Sequence, residues 1–212
     1  MKSRIDATRA LVDSIERHPR ERVFVSGSAI GIYGDRGDEV LDESSAPGDG
    51  FLAEVCEAWE EAASGARSSR TVIARFGVVL AADGGALPKM ALPFRLFAGG
   101  KVGSGSQWVS WVALEDLIRF LVEAVENPAM KGAYNVTAPE PVRNAELAKA
   151  LGTALHRPAV MPAPAFAIRL ALGEMGDALL LASQRVLPRR ASTEGFQFLE
   201  TEILPTLRRI YR

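Results

Sequence analysis

Two serine side chains follow a short apolar run near the beginning of the chain. Residues 23–25 are apolar and of β-branched or aromatic type, as is typical of a buried β-strand, and Ser26 and Ser28 follow. Ligands of open α/β sheets bind beyond the carboxyl ends of the strands. The two hydroxyls are therefore candidates for contact with a bound molecule, although a strand that ends in a turn of small residues explains the same pattern.

A second group of candidate residues follows the glycine-rich segment 99–105. Gln107 and Trp108 supply an amide and an indole, which are the kinds of side chain that line ligand pockets. We expect both to contact a small-molecule substrate and Trp111 to pack in the core. The alternative is that Trp108 only covers an edge of the structure.

Charged side chains flank two of the predicted helices. Lys89 and Arg95 lie on an apolar helix predicted over residues 87–97, where they can meet an anionic group of a substrate. Surface solubility is the more common reason for such residues. Glu115 and Asp116 begin another helix, where negative charge complements the helix dipole, and we interpret them as structural.

Composition limits the classes of function. The chain has 212 residues, 48% hydrophobic and 24% charged, with a net charge of −1. That composition is typical of a soluble globular protein and gives no electrostatic reason to expect nucleic acid or a membrane as partner. A lone cysteine, Cys56, fits a reducing cytoplasm, and the separated His18 and His156 predict no metal site.

Strands and helices alternate along the chain, which predicts an α/β fold with a parallel sheet. The segment 35–50 is polar and glycine-rich and is expected to be an exposed loop, and Asn144 is expected to cap the helix that it begins. The hydrophobic periodicity predicts strands over 23–25, 71–80, 108–112 and 133–136, and helices over 5–17, 51–63, 87–97, 113–126, 144–155 and 200–211. The segment 166–181 is expected to form one or two apolar helices, broken near Gly173 and Gly176.

Several segments, taken in order, resemble one protein family. They are SGSAIGIYG at 26–34, RFGVVLAADGGALPKM at 75–90, GGKVGSGSQWVSWVALEDL at 99–117, YNVTAPEPV at 134–142 and LGEMGDALLLASQRVLP at 172–188. The chain is similar, over nearly its whole length, to the atypical extended short-chain dehydrogenase/reductases of the NAD-dependent epimerase/dehydratase type. The Gln-Trp-x-Ser-Trp and Leu-Gly-Glu-Met segments are the most specific to it.

The resemblance implies roles for particular residues. Ser28 matches the family serine that hydrogen-bonds the reacting oxygen, so it is the expected catalytic residue. We expect Gly77 to let the backbone approach a nicotinamide ring, the alternative being a bulge in a buried strand. The residues implied to contact NAD or NADP are Ser26, Gly27, Arg75, Phe76, Gly77 and Val78.

One departure from the family pattern bears directly on catalysis. The positions of the usual catalytic Tyr and Lys carry Phe51 and Val55, which have neither a hydroxyl nor a charge for proton chemistry. We interpret both as the core face of a helix. Glu54 is either a substitute base or a solvated helix residue. An NAD(P)-dependent oxidoreductase or epimerase, a dinucleotide-binding regulator without turnover, and a self-associating module therefore all stay open.

The glycine-rich turn that holds the cofactor's pyrophosphate in this family has no counterpart here. The chain thus resembles the C-terminal portion of a longer protein. We expect a Rossmann-like parallel sheet with an incomplete N-terminal half, residues 1–142, and a small, mostly helical substrate-side lobe, residues 143–212. A sheet without its first strands leaves an unpaired edge, which predicts a possible homodimer.

Overall fold

The computed structural model describes residues 2–19 and 22–212. Helices and strands alternate through most of the chain, as the sequence predicts. The helices are α1 (Lys2–Arg17), α2 (Phe51–Ser64), α3 (Leu87–Arg95), α4 (Leu114–Glu126), α5 (Asn144–Leu155), α6 (Ala165–Leu172), α7 (Glu174–Gly176), α8 (Arg189–Thr193) and α9 (Ile203–Ile210). The strands are β1 (Val23–Ala29), β2 (Val40–Leu41), β3 (Arg70–Phe76), β4 (Val78–Leu80), β5 (Trp108–Val109), β6 (Trp111–Ala113), β7 (Gly132–Val136), β8 (Val142–Arg143) and β9 (Arg185–Val186).

A parallel sheet of three strands, in the order β1-β3-β7, forms the centre of the fold. Its register places Ser28 beside Arg75, and Arg75 beside Asn135 on the next strand. The pairs β4-β6 and β2-β9 are also parallel, whereas β5-β8 is antiparallel. The predicted parallel α/β architecture is confirmed.

The sheet is covered by helices on both faces. Val72 and Ala74 of β3 pack in one core cluster with Leu117 and Phe120 of α4. Because side chains alternate along a strand, Arg75 points to the opposite face, where α2 lies. Helix α1 packs outside α2. Residue 75 therefore carries a charged side chain into the layer between sheet and helix.

The C-terminal helices share a core with the segments that precede them. Leu147 and Leu151 of α5 and Leu207 of α9 belong to the same buried cluster as Leu80 of β4 and Trp111 of β6. The small, mostly helical C-terminal part is thus present. The division at residue 142 stays a prediction, since this cluster draws residues from both sides of it.

Gly77 divides the strand predicted over 71–80. β3 pairs with β7, and β4, beyond Gly77, pairs with β6. A Cβ atom at Gly77 would lie 2.7 Å from the Ser110 carbonyl oxygen and 2.9 Å from Cγ2 of Thr137. The strand 108–112 is divided in the same way, at Ser110. The sequence pattern continues without a break through residues 77 and 110, but at each of these residues the extended segment changes its partner strand.

Two local expectations were wrong. Asn144 is the first residue of α5 rather than its cap, and its side-chain oxygen accepts a hydrogen bond from the Val102 N–H at 2.7 Å. The polar segment 35–50 contains β2, in which Leu41 is fully buried, because β9 pairs with it across a long sequence separation. Among the described residues, no helix combines the length and apolar character needed to cross a membrane.

Candidate functional site

The hydroxyl of Ser28 lies at the carboxyl end of β1 and points to α2. It is 3% exposed and donates a hydrogen bond to Oε1 of Glu60 at 2.7 Å. A hydroxyl that donates its proton to a carboxylate keeps its lone pairs available as acceptors. In this arrangement Ser28 can accept a hydrogen bond from a ligand but has no second proton to donate.

Arg75 holds the same carboxylate from the neighbouring strand. Its Nε donates to Oε1 of Glu60 at 2.9 Å and its Nη2 to Oε2 at 2.8 Å, with each side chain 11% exposed. Burial alone would lower the pKa of Arg75, but the hydrogen bonds and charge of Glu60, together with Tyr33, raise that pKa above its usual value. Arg75 therefore keeps its positive charge at any physiological pH.

The hydrogen bonds continue from Arg75 to the neighbouring strand β7. Nη1 of Arg75 donates to the Tyr33 hydroxyl, which donates in turn to Oδ1 of Asn135, both at 2.8 Å. The Asn135 N–H donates to Oε1 of Glu43 at 3.0 Å. Burial raises the pKa of Tyr33, so its hydroxyl keeps its proton. We call this set the Ser28 network; its members are Ser28, Glu60, Arg75, Tyr33, Asn135 and Glu43.

The Ser28 network contains members that sequence reasoning missed. Glu60 and Tyr33 were given no role, and Glu43 lies in the segment 35–50 that was expected to be an exposed loop. These residues meet only through the register of β1, β3 and β7 and the packing of α2. Helical periodicity offers one signal for Glu60, since it follows the buried Cys56 by four residues.

A cavity of about 550 Å³ opens beside the Arg75–Glu60 pair. Besides Arg75, its wall includes several carboxylates from one helix. The acidic residues are Glu54, Glu57, Glu60 and Glu61 of α2. Three of them have no cation at hydrogen-bond distance among the described residues. The excess of negative charge makes this cavity unsuited to the phosphate groups of a dinucleotide.

The remaining residues implied for the cofactor lie within the sheet. The Gly77 N–H donates to the Val136 carbonyl at 3.2 Å and the Val78 N–H to the Ser110 carbonyl at 2.9 Å. Ser26 is 6% exposed, and a Cβ at Gly27 would lie 3.1 Å from the Phe76 ring. These N–H groups are satisfied by neighbouring strands, so this part of the chain fits a nicotinamide as an apolar wall rather than as a set of donors.

The predicted pocket residues Gln107 and Trp108 have different surroundings. Gln107 is 6% exposed, and its Nε2 donates to the carbonyls of Val102 and Leu180 at 3.1 and 2.9 Å. These hydrogen bonds connect the glycine-rich segment 99–105 to the C-terminal part of the chain. Trp111 is fully buried, as expected.

Trp108 is half-buried and lies close to two guanidinium groups. The central carbons of Arg143 and Arg185 lie 4.1 and 4.5 Å from its ring centroid. Its Nε1 donates to Oδ1 of Asp38 at 3.1 Å, and Nη1 of Arg143 donates to the same oxygen at 2.6 Å. We call Trp108, Asp38, Arg143 and Arg185 the Trp108 cluster. Neither arginine was a candidate in the sequence.

Three other candidates, Lys89, Val55 and Phe51, lie apart from these groups. Lys89 is exposed on α3, and the described residues give it no ion pair. Val55 is 6% exposed, as expected, but Phe51 is 59% exposed, so its assignment to a helix core was wrong. Phe51 begins α2, where the loop before it leaves the first turn uncovered. Glu54 is exposed beside it. Among the described residues, no group of acidic, histidine and cysteine side chains is placed to hold a metal ion.

Comparison with known sequences gives a consistent set of relatives. A family model described as a domain of unknown function (DUF1731) matches residues 163–210. The "Epimerase family protein SDR39U1 homolog, chloroplastic" of Arabidopsis thaliana is 45% identical over 212 residues, covering 98% of this chain and 61% of the relative. Epimerase family protein YfhF of Bacillus subtilis is 40% identical over 207 residues, covering 96% of this chain and 68% of the relative.

A solved structure agrees with these relatives. The crystal structure of human epimerase family protein SDR39U1 (isoform 2) with NADPH superposes with a TM-score of 0.92 at 35% identity, covering 99% of this chain and 72% of that one. The chain spans about three-fifths of the length of the Arabidopsis relative. The likeness thus extends over all of this chain and over part of its relatives.

Proposed function

This chain belongs to the epimerase family, an atypical branch of the short-chain dehydrogenase/reductases, and from that premise we propose an NAD(P)-dependent enzyme function. In this proposal the chain forms the nicotinamide side and the substrate side of an epimerase-like or oxidoreductase site. The ligand is a small molecule. The bound cofactor supplies the hydride chemistry, and the chain's own residues orient the substrate.

The observation that carries the proposal is the likeness along the whole chain to a human family member whose structure contains NADPH. NADP is therefore the cofactor that we propose first, with NAD as the alternative. The carboxyl ends of β1 and β3 are the expected place for the nicotinamide. Phe76 and Val78 supply apolar surface there, and Gly27 leaves the edge of β1 without a side chain.

Ser28 is the residue that we propose to orient the substrate. Its hydrogen bond to Glu60 fixes the hydroxyl rotor and leaves Oγ as an acceptor for a substrate O–H or N–H. Ser28 does not supply the proton in this arrangement, because its hydroxyl already donates that proton in a hydrogen bond to Oε1 of Glu60. A substrate hydroxyl is therefore held rather than protonated by Ser28.

A second candidate is a protein that binds the dinucleotide without turnover. It is favoured by Phe51 and Val55, which replace the usual Tyr and Lys, and by the exposed, non-ionisable surface that Phe51 presents. In that case the Ser28 network has a structural role only. Turnover that requires NADPH and is lost in Ser28→Ala would exclude this candidate.

The first test is a titration of the chain with NADPH and, separately, with NADH. Energy transfer from the three tryptophans to the reduced nicotinamide reports binding. Saturable transfer with NADPH supports the proposal, and tighter binding of NADH assigns the cofactor to NAD. Absence of saturable binding of either dinucleotide contradicts the proposal for this chain.

A further inference from the structure

Arg185 is a partly buried cation without a partner of its own. Its Nε is shielded from solvent and makes no hydrogen bond, and neither a hydrogen bond nor an ion pair involves its guanidinium among the described residues. Buried polar groups in folded proteins nearly always have a partner, and an unpaired buried charge is costly. The stacking of Arg185 on Trp108 recovers only part of that cost.

The neighbouring carboxylates are already engaged. Asp38 accepts hydrogen bonds from Arg143 at 2.6 Å and from Trp108 at 3.1 Å. Glu39 accepts two from Arg36, at 2.8 and 2.7 Å. Asp35 accepts the Ser183 N–H at 3.1 Å. Among the described residues, none of these carboxylates makes a hydrogen bond or an ion pair with Arg185, so its guanidinium donors stay available to a partner from outside the chain.

The site is placed where a substrate would approach. The side chain of Gln184, next to Arg185 in sequence, donates to the carbonyls of Ile30 and Gly34 at 3.2 and 3.0 Å, in the turn that follows β1. The Ser183 hydroxyl accepts the Trp108 N–H at 3.0 Å and donates to the Gly37 carbonyl at 2.6 Å. These bonds attach Arg185 and Trp108 to the carboxyl end of the sheet.

We propose that Arg185, held against Trp108, binds an oxyanion of the substrate, a carboxylate or a phosphate group. This inference rests on the proposed function in so far as the ligand is a substrate. A guanidinium presents parallel N–H donors that match the two oxygens of such a group, and Nε and an Nη form one of these edges. Trp108 holds Arg185 by stacking, and Asp38 holds Arg143, the second guanidinium near the indole.

The test titrates the full chain with inorganic phosphate and, in a separate arm, with malonate, without dinucleotide and at constant ionic strength set by chloride. Tryptophan emission and the melting temperature report binding, since a ligand of the native state raises the latter. Saturation by phosphate alone assigns a phosphate-bearing substrate. Saturation by malonate alone assigns a carboxylate, and saturation by both assigns a site for either oxyanion.

The variants separate this site from general electrostatic attraction. Arg185→Met keeps the aliphatic stem against Trp108 and removes the donors, so we expect binding to weaken by about tenfold or more. The matched control is Arg157→Met, because Arg157 also stacks on an aromatic ring, that of Phe97 at 4.7 Å. It should bind the oxyanion as the unmodified chain does. Arg185→Lys keeps the charge but lacks the planar guanidinium, so its affinity for the oxyanion should lie between those of the unmodified chain and Arg185→Met.

Two results would overturn the inference. One is that neither phosphate nor malonate saturates the unmodified chain, and the other is that Arg185→Met binds the oxyanion with unchanged affinity. If Arg185→Met does not fold, Arg185→Lys decides, and affinity equal to that of the unmodified chain then counts against the site. Dinucleotide titrations of the unmodified chain report on the proposed function separately. The proposal of an oxyanion site and the proposed NAD(P)-dependent function can therefore be contradicted independently of each other.

Discussion

Glu60 determines how Ser28 behaves, although the two residues are 32 positions apart. Its Oε1 accepts hydrogen bonds from the Ser28 hydroxyl and from Nε of Arg75, and its Oε2 accepts one from Nη2 of Arg75. A buried ion pair of this kind is costly to break from one side, because the remaining charge stays buried without a partner. At the scale of single residues, the network therefore makes Ser28 a rigid acceptor rather than a free hydroxyl.

Replacing the carboxylate tests this coupling. Glu60→Gln leaves Arg75 without a counter-charge in a site where both side chains are 11% exposed. We expect the free energy of unfolding to fall by about 3 kcal/mol, as measured by urea titration.

The matched control for this substitution is Glu61→Gln, on the exposed side of the same helix. It should change the free energy of unfolding by less than about 0.5 kcal/mol. Equal effects of the two substitutions would show that the Arg75–Glu60 pair does not stabilise the fold.

Tyr134 gives a prediction for the dependence of stability on pH. Burial, and then the hydrogen bond to Glu194 at 2.6 Å, raise the pKa of Tyr134 to about 12. The unfolded chain releases this proton near pH 10. The folded state is therefore favoured fully below about pH 10, and that contribution is lost as pH rises toward about 12.

We expect Tyr134 to account for a loss of about 2 kcal/mol in the free energy of unfolding across this interval. The measurement compares urea unfolding of the unmodified chain and Tyr134→Phe at both ends of the interval. The free energy of unfolding of Tyr134→Phe should fall less than that of the unmodified chain. Burial also raises the pKa values of Tyr33 and Tyr211, but these two residues contribute equally to both proteins. Equal losses of unfolding free energy in the two proteins would contradict the raised pKa of Tyr134.

At the scale of elements, Gly77 lets one extended segment serve two strand pairs. β3 before it pairs with β7, and β4 after it pairs with β6. The close approach of Ser110 and Thr137 leaves no room for a side chain. The observed packing accounts for this glycine whether or not a nicotinamide also lies near it, and its role toward a cofactor stays a prediction.

Gly77→Ala should therefore destabilise the protein. The added Cβ would lie 2.7 Å from a backbone oxygen, which must move, and overpacking of this kind costs about 1–3 kcal/mol. Gly84→Ala is the control, since nothing lies within 4 Å of its Cβ position. Thermal unfolding of both variants measures the difference. Equal melting temperatures would contradict the requirement for glycine at 77.

At the scale of the whole molecule, β1 lies at an edge of the central sheet. Over residues 2–19 and 22–212, β3 is the strand that pairs with β1, so its other edge carries unpaired backbone groups. Edges of this kind are templates for association with another chain. The predicted cytoplasmic location and the homodimer both stay predictions.

We expect the chain to self-associate through this edge in a concentration-dependent manner. Sedimentation velocity over a wide range of protein concentration measures the fraction of dimer. A single monomeric species at every concentration would contradict association through β1. A dimer that persists unchanged on dilution would indicate a larger, more apolar interface than one strand edge provides.

The amino-acid sequence by itself determined the class of the fold. Apolar runs such as residues 23–25 and amphipathic periodicity over α4 and α5 predict strand and helix from local spacing alone, and the structure confirms them. The motifs around Gln107 and Trp111 point to the same family as the relatives do. Such features are local, because each depends on residues within one turn or one strand.

Tertiary structure decided which of the candidate residues meet. Ser28 joins Glu60 and Arg75, and Trp108 joins Arg143 and Arg185, through strand register and helix packing across tens of residues. Local pattern cannot encode these pairings, because the energy of a buried polar group depends on which partner the fold brings to it. The sequence therefore determined the elements, and their assembly decided the chemistry between them.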